Sequence, residues 1–372
     1  MQGLRYLALD LMRNSAAMAA LWRWFVLGGA LAVAMAAPQV LADALKAGTD
    51  ATPLRTSSGL TLITRIRLAP RGGIGFDDLF YSPALNRLLA PAGATGIFYL
   101  VDPTSYKLSP LKAAEDAGRR YRGGHDDGIT SADSDGQRAF TIDRTTRTLL
   151  SLDVKGGNVT SRIGLTAGPD YVRYVASTRE LWITEPDQEQ IEIVDTLPST
   201  KTTSTRSATI RIAGGPESLA IDQARNRAYS HLWRGQTVAI DIASRQVVQS
   251  VTNGCKGSRG IALDTEKNLV FVGCSEGRIV VLDERQAGKI VASASTSAGV
   301  DSIAYNAQLR HLYVPSASDG KMSVYKVAAD GALQELGRMP TAIGAHCVAS
   351  DERQQVWVCD PDRGELLVFK DR

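Results

Sequence analysis

Polar side chains that could act together recur at seven places along this chain of 372 residues. Each place comes at the start of a short run of β-branched and aromatic residues. In chain order the side chains are Asp77, Asp127, Asp170, Glu217, Arg259, Asp301 and His346. Carboxylate oxygens are the ligands that a hard divalent cation such as calcium prefers, and imidazole can complete such a set.

These residues have two possible roles, and the sequence leaves both open. In the first, a divalent cation such as calcium polarises a carbonyl group or activates water, and His346 acts as a further ligand or as a general base. In the second, the side chains are solvated charges lining a water-filled funnel, and Arg259 neutralises a neighbour. The metal ligands in the first case would be Asp77, Asp170, Glu217 and Asp301.

A second group of residues could form the rim of a site for an organic ligand. His231 and Trp233 lie close together in the segment Tyr-Ser-His-Leu-Trp-Arg, so an aromatic ring stands beside a histidine and an arginine. His125 comes just before two aspartates. The alternative is that Trp233 is an ordinary exposed loop residue. The predicted ligand-binding residues are His125, His231, Trp233 and Arg259.

An internal repeat positions all of these residues. Each unit contains short β-branched and aromatic runs separated by turn residues, which is typical of strands. Seven units of four short strands predict an all-β fold, a seven-bladed β-propeller with antiparallel blades. The loops that enter the first strands then share one face, the channel mouth, where the polar residues should converge. The units are 42 to 51 residues apart and start at Asp77, Gly128, Asp170, Glu217, Arg259, Asp301 and His346.

The two ends of the chain supply a check on this ring. The last unit ends after its third strand, Glu365-Leu-Leu-Val-Phe, and an unassigned strand-like run begins at Gly59. We therefore expect the N-terminal strand to close the seventh blade, with the propeller spanning residues 59–372. The alternative, two β-sandwich domains, would need a linker near the middle of the chain, and the composition shows no such shift.

The repeats read Gly-x-x-x-hydrophobic-Ala-x-Asp, then Leu-Tyr/Phe-Val, then hydrophobic-x-Val-hydrophobic-Asp. In this the sequence resembles the YVTN-type seven-bladed β-propeller repeat proteins of bacteria over residues 59–372. The resemblance implies the propeller fold and export from the cell. Gluconolactonase propellers hold an axial metal with carboxylates, so a lactonase-like hydrolase is the enzyme hypothesis for this chain.

Four cysteines lie in the last third of the chain, and none forms a Cys-x-x-Cys pair. In the predicted blades, Cys255 enters the fifth blade and Cys274 follows that blade's second strand. Cys347 and Cys359 stand opposite each other across a hairpin, within reach of a disulfide. We predict the disulfides Cys255–Cys274 and Cys347–Cys359; free buried thiols are the alternative.

Residues 24–37 form an apolar stretch that follows Arg13 and Arg23. About 14 apolar residues rise only about 21 Å as a helix, short of a bilayer core, so the segment predicts an export signal rather than a membrane anchor. The expected organisation is a signal peptide at 1–42, a linker at 43–58 and then the propeller. The location would be periplasmic or secreted, with no membrane span after signal removal.

The formal net charge of +3 lacks the single-sign excess that draws proteins to nucleic acid, so no nucleic-acid partner is expected. The sequence has no Gly-x-Ser-x-Gly elbow, no P-loop and no Cys-x-x-Cys-His haem site. It predicts a monomeric exported binding module that takes a small molecule or protein at the channel mouth. A metal-dependent lactonase-like hydrolase is the alternative. A third hypothesis is a subunit of a quinone-linked dehydrogenase; only the propeller fold suggests it, and no residue supports it.

Overall fold

A computed structural model describes most of the chain. The predicted signal peptide and linker, residues 1–58, lie outside the described residues and stay predictions. The described ranges are 59–68, 72–118, 120–196 and 206–372.

The described residues contain 28 strands in seven four-stranded antiparallel sheets, which confirms the predicted blades. Blades 1 to 6 take four consecutive strands each, from β2 to β25, and blade 7 combines β26, β27 and β28 with β1. The strands are β1 Thr61–Arg67, β2 Phe80–Ser82, β3 Arg87–Pro91, β4 Ile97–Val101, β5 Leu108–Lys112, β6 Ile129–Ser134, β7 Arg138–Asp143, β8 Thr148–Asp153, β9 Asn158–Gly164, β10 Val172–Val175, β11 Glu180–Glu185, β12 Gln190–Asp195, β13 Arg206–Arg211, β14 Ala220–Asp222, β15 Arg227–Leu232, β16 Gln236–Asp241, β17 Gln246–Thr252, β18 Ser258–Asp264, β19 Leu269–Cys274, β20 Arg278–Asp283, β21 Lys289–Ser295, β22 Ala304–Asn306, β23 His311–Ser316, β24 Lys321–Val327, β25 Leu333–Pro340, β26 Val348–Ser350, β27 Gln355–Asp360 and β28 Glu365–Lys370.

Two short 3₁₀ helices, Pro186–Gln188 and Glu284–Gln286, complete the regular structure of the described residues. Neither these nor any other helix in the described ranges has the length and apolar character of a membrane span.

The blades form a ring because the first strand of each blade contacts the first strand of the next. The contacts run from β2 through β6, β10, β14, β18, β22 and β26, and β26 in turn contacts β2. The alternative of two β-sandwich domains is therefore wrong for the described part of the chain.

The N-terminal strand closes the ring as predicted. β1 pairs antiparallel with β28, and Arg67 donates a hydrogen bond of 2.7 Å to Glu365. Asp371, directly after β28, is fully buried and accepts a hydrogen bond of 2.6 Å from the Tyr313 hydroxyl. The two ends of the described chain thus tie blade 7 together and join it to blade 6.

Burial follows each strand's place in its blade. Second strands such as β11 and β27 are buried along their whole length, because neighbouring blades cover both of their faces. Their tryptophans, Trp182 and Trp357, are among the largest fully buried side chains. The outer strand β9 alternates between exposed and half-buried residues, the pattern of a strand with one wet face.

All four cysteines are paired, and both predicted disulfides are confirmed. The Cα atoms of Cys255 and Cys274 are 5.3 Å apart, and those of Cys347 and Cys359 are 5.6 Å apart. Each bond links the entry of a blade to the end of its second strand, so both lie close to the channel mouth.

Candidate functional site

A cavity of about 900 Å³ opens at the mouth of the central channel. His125 and Trp233 line it as well as six of the seven predicted polar positions. The exception, Asp127, lines a neighbouring cavity of about 490 Å³ together with Arg120 and His125. The six converging residues are Asp77, Asp170, Glu217, Arg259, Asp301 and His346.

The blade topology brings these residues together. Asp77, Glu217 and Asp301 each stand three positions before an inner strand, and Asp170 and His346 stand two positions before one. Because the inner strands are neighbours around the axis, their leading ends meet at one face. Residues far apart in the chain thereby become lining residues of one cavity.

Arg144 is a central residue of the site that the sequence analysis missed. It follows β7, and its guanidinium lies 3.0 Å from Asp77 Oδ2 and contacts Asp170 as well. Burial alone would raise the pKa of Asp77, but Arg144 and His125 hold it well below its usual value. The loop joining second and third strands shares the mouth face, so the same topological rule would have placed Arg144 here.

A second ion pair joins Glu217 to Arg259 on the other side of the cavity. Burial raises the pKa of Glu217 to about 7 even though Arg259 opposes the shift, and Asp301 and Asp77 add to it. The Arg259 guanidinium also lies over the Trp233 ring, 5.6 Å from its centroid. Glu217 Oε2 is buried and has no hydrogen-bond partner among the described residues.

His125 lies between two carboxylates. Its Nδ1 is 3.5 Å from Asp77, and its Nε2 is 3.5 Å from Asp301. The charge of Asp77 raises the pKa of His125 to about 9 against the opposing effect of burial, and Asp301 contributes further. The imidazole is therefore protonated at neutral pH and adds a cation to the three arginines of the cavity.

His346 is held by backbone carbonyls. Its Nδ1 lies 2.6 Å from the Gly344 oxygen, and its Nε2 lies 2.8 Å from the Phe76 oxygen. Each ring nitrogen therefore faces a carbonyl oxygen at hydrogen-bonding distance, and a metal or a substrate proton would have to displace one of these contacts. This geometry does not favour the predicted role of His346 as metal ligand or general base.

The donor set likewise does not favour the predicted metal site. Donor atoms of His125, Asp301 and His346 lie within 4.8 Å of one another, but both histidines are already engaged as described above. Three of the four proposed ligands, Asp77, Asp170 and Glu217, are paired with arginines. A cation would have to break these pairs before it could gather its ligands.

His231 does not belong to the cavity, which corrects its prediction as a ligand-binding residue. It is fully buried between blades, with Nε2 3.2 Å from the Phe271 carbonyl and Nδ1 3.0 Å from the Thr237 hydroxyl. Burial lowers its pKa to about 4, so the ring is neutral. Trp233 lies just beyond the end of β15, where it is 40% exposed.

The fold and this cavity define a seven-bladed β-propeller with a charged channel mouth. No protein-family model and no curated protein matches the chain. The predicted YVTN-type membership is therefore not shown and stays a prediction.

Solved structures with a similar fold were found at low sequence identity. Hydrazine synthase of Kuenenia stuttgartiensis is 12% identical, with a TM-score of 0.65 over 81% of this chain and 96% of that one. A chain of the Mitotic Checkpoint Complex is 14% identical, with a TM-score of 0.67 over 92% and 98%. The β-propeller domain of Cps50 (Swd1) from Myceliophteria thermophila is 11% identical, with a TM-score of 0.65 over 84% and 100%. At these identities the likeness shows the fold alone.

Proposed function

We propose that this protein is a binding module that takes a small ligand or a protein segment into the cavity at its channel mouth. The observation that carries the proposal is the cavity itself, about 900 Å³ in volume, with charged side chains from several blades at its base. Trp233 and Ile343 are exposed at its opening by 40% and 63%. Concave sites with a few placed polar groups and exposed aromatic side chains are typical of ligand recognition.

Binding is favoured over hydrolysis by the state of the polar groups. Asp77, Asp170 and Glu217 are each paired with an arginine, and both ring nitrogens of His346 face carbonyl oxygens, so we do not propose the lactonase-like activity. One similar propeller comes from the Mitotic Checkpoint Complex, an assembly of proteins, which is in keeping with a propeller used for binding.

We also propose that the chain is exported to the periplasm or secreted, with cleavage after Ala42, and is a monomer. The two disulfides support this, because such bonds persist in oxidising compartments. N-terminal sequencing of protein from the periplasmic fraction should begin at Asp43. Periplasmic protein that still begins at Met1 would contradict the proposed cleavage. A molar mass of a dimer, measured by light scattering, would contradict the proposed monomeric state.

A ligand screen by thermal shift tests the binding role. Metabolites and short peptides that stabilise the wild type should lose their effect in Trp233→Ala and keep it in Val248→Ala. Val248 is a matched control, because it is an exposed apolar residue on the outer strand β17. If the compounds stabilise Trp233→Ala as much as the wild type, they bind outside the cavity and the proposal is wrong.

A further inference from the structure

The cavity at the channel mouth is acidic although the chain as a whole is not. Seven carboxylates line it against three guanidinium groups, whereas the full sequence carries a formal charge of +3. Protonated His125 still leaves an excess of negative charge. A concave wall of one sign concentrates the field and attracts ligands of the opposite sign.

The cavity's own cations do not remove this excess. Arg144 is shared by Asp77, Asp170 and the exposed Asp126, and Arg259 is paired with Glu217. Two further carboxylates at the rim, Asp187 and Asp362, are exposed to an incoming ligand.

Glu217 independently indicates that the cavity binds a hydrogen-bond donor. Its side chain is only 8% exposed, and one oxygen contacts Arg259. The other oxygen, Oε2, is buried without a hydrogen-bond partner among the described residues. A buried acceptor of this kind is costly unless a donor arrives, and a charged donor is the strongest partner for a carboxylate.

The apolar part of the rim fits the stem of such a donor. Trp233 already carries the Arg259 guanidinium over its ring at 5.6 Å, so its surroundings suit a cation. Ile343 stands exposed at the same opening and offers contact to methylene groups.

We infer that the mouth cavity binds a cation on an alkyl stem, an ammonium or guanidinium group, with Glu217 as its anchoring carboxylate and Trp233 as the ring beside it. This inference rests on the proposed binding function and specifies its ligand. The cation could come from a lysine or arginine side chain of a protein segment or from a free amine, since both have the same chemistry.

Calorimetric titration of the full chain tests the inference. The probes are spermidine, cadaverine and agmatine as free amines, and the blocked tripeptides Gly-Lys-Gly and Gly-Arg-Gly. Gly-Gln-Gly and Gly-Glu-Gly are the uncharged and acidic controls. We expect basic probes to bind, with affinity falling as salt is added, and the control peptides to bind at least about tenfold more weakly. Stronger binding of the tripeptides identifies a protein segment as the source, and stronger binding of the free amines identifies a small molecule.

Variants locate the binding. Glu217→Gln should weaken it about tenfold or more, and Glu335→Gln, on the outer strand β25, should leave it unchanged. If Glu217→Gln does not fold, as judged by circular dichroism, the rim variant Asp187→Asn with Asp362→Asn replaces it. Both rim side chains are exposed, so this variant should fold and should weaken binding and its salt dependence.

Three results would overturn the inference. In the first, uncharged or acidic probes bind as tightly as basic ones, and Trp233→Ala weakens their binding. This result would support the proposed binding function but contradict a cationic ligand. Basic probes that bind equally to wild type, Trp233→Ala and the carboxylate variants would place their site outside the cavity. Absence of binding by every basic probe would also refute the assigned ligand, whatever the thermal-shift screen finds.

Discussion

The charged residues of the cavity work as mutually compensating pairs rather than as a ring of free acids. Arg144 bridges Asp77 and Asp170, which come from different blades, and His125 bridges Asp77 and Asp301. Such pairs hold the mouth in one arrangement, because loss of either partner leaves a poorly solvated charge. Two of these residues titrate within an accessible pH range.

His125 should make stability depend on pH on the alkaline side. Its pKa is raised from 6.5 to about 9 in the folded chain, so its stabilising effect is complete below pH 6.5 and is lost as pH rises through 9. We expect the wild type to lose stability relative to His125→Gln between these values. Urea denaturation at pH 6, 7.5 and 9.5 measures this difference. A difference that stays constant across the three pH values would contradict the assigned role.

Glu217 should also make the wild type lose stability relative to its variant as pH rises, but over a lower pH range. The unfolded chain releases this proton near pH 4.5, whereas burial holds it in the folded chain until about pH 7, so ionisation costs stability as pH rises between the two. Relative to wild type, Glu217→Gln should therefore gain stability from pH 4.5 to pH 8. Denaturation over this range is the measurement, with Glu335→Gln as the exposed control. A relative loss of stability over the same range would show that the Arg259 pair outweighs burial.

Close backbone contact between neighbouring blades restricts which residues can occupy the loops that lead into the first strands. Gly128 leads into β6 with φ +76°, and a Cβ atom there would lie 2.2 Å from the Gly93 carbonyl oxygen. No side chain can occupy that position without moving blade 1 away from blade 2. Residues that come shortly before Gly128, His125 among them, line the cavity.

Gly128→Ala should lower the free energy of unfolding by about 2 kcal/mol or more, since the new methyl group meets both an unfavourable φ and fixed backbone. Gly164→Ala is the matched control. Its Cβ would have nothing within 4 Å, and its φ is not positive. Thermal and urea denaturation of the two variants should separate them clearly. Equal stabilities would mean that the blade contact is looser than the structure shows.

The whole molecule depends on closure of the ring by β1. Leu60 is fully buried and packs with Val356 and Phe369 of blade 7. Without residues 59–71, the edge of β28 would be unpaired and this cluster would be open to water. Unpaired edges of this kind promote association between chains.

A chain that begins at residue 72 should therefore unfold at a much lower temperature than one that begins at residue 59. It should also form dimers or larger species on size-exclusion chromatography. The chain from residue 59 should elute as a monomer at the same concentration. Equal midpoints and equal elution would show that three strands are enough for blade 7.

Repetition made much of this architecture predictable. Blade number, ring closure and both disulfides follow from spacing and strand order, because a four-stranded unit repeated seven times has few ways to bury its faces. The same logic brought Asp77, Asp170, Glu217 and Asp301 to one mouth. It did not distinguish His231 from Trp233, although only two positions separate them.

Which charges neutralise one another was decided by the tertiary structure alone. Arg144 lies 67 residues after Asp77 in the chain, yet its guanidinium is 3.0 Å from that carboxylate. The strand pattern determines which face a residue occupies. Whether a carboxylate there is free for a ligand depends on side-chain contacts of a few ångströms between blades, and these form only when the ring is closed.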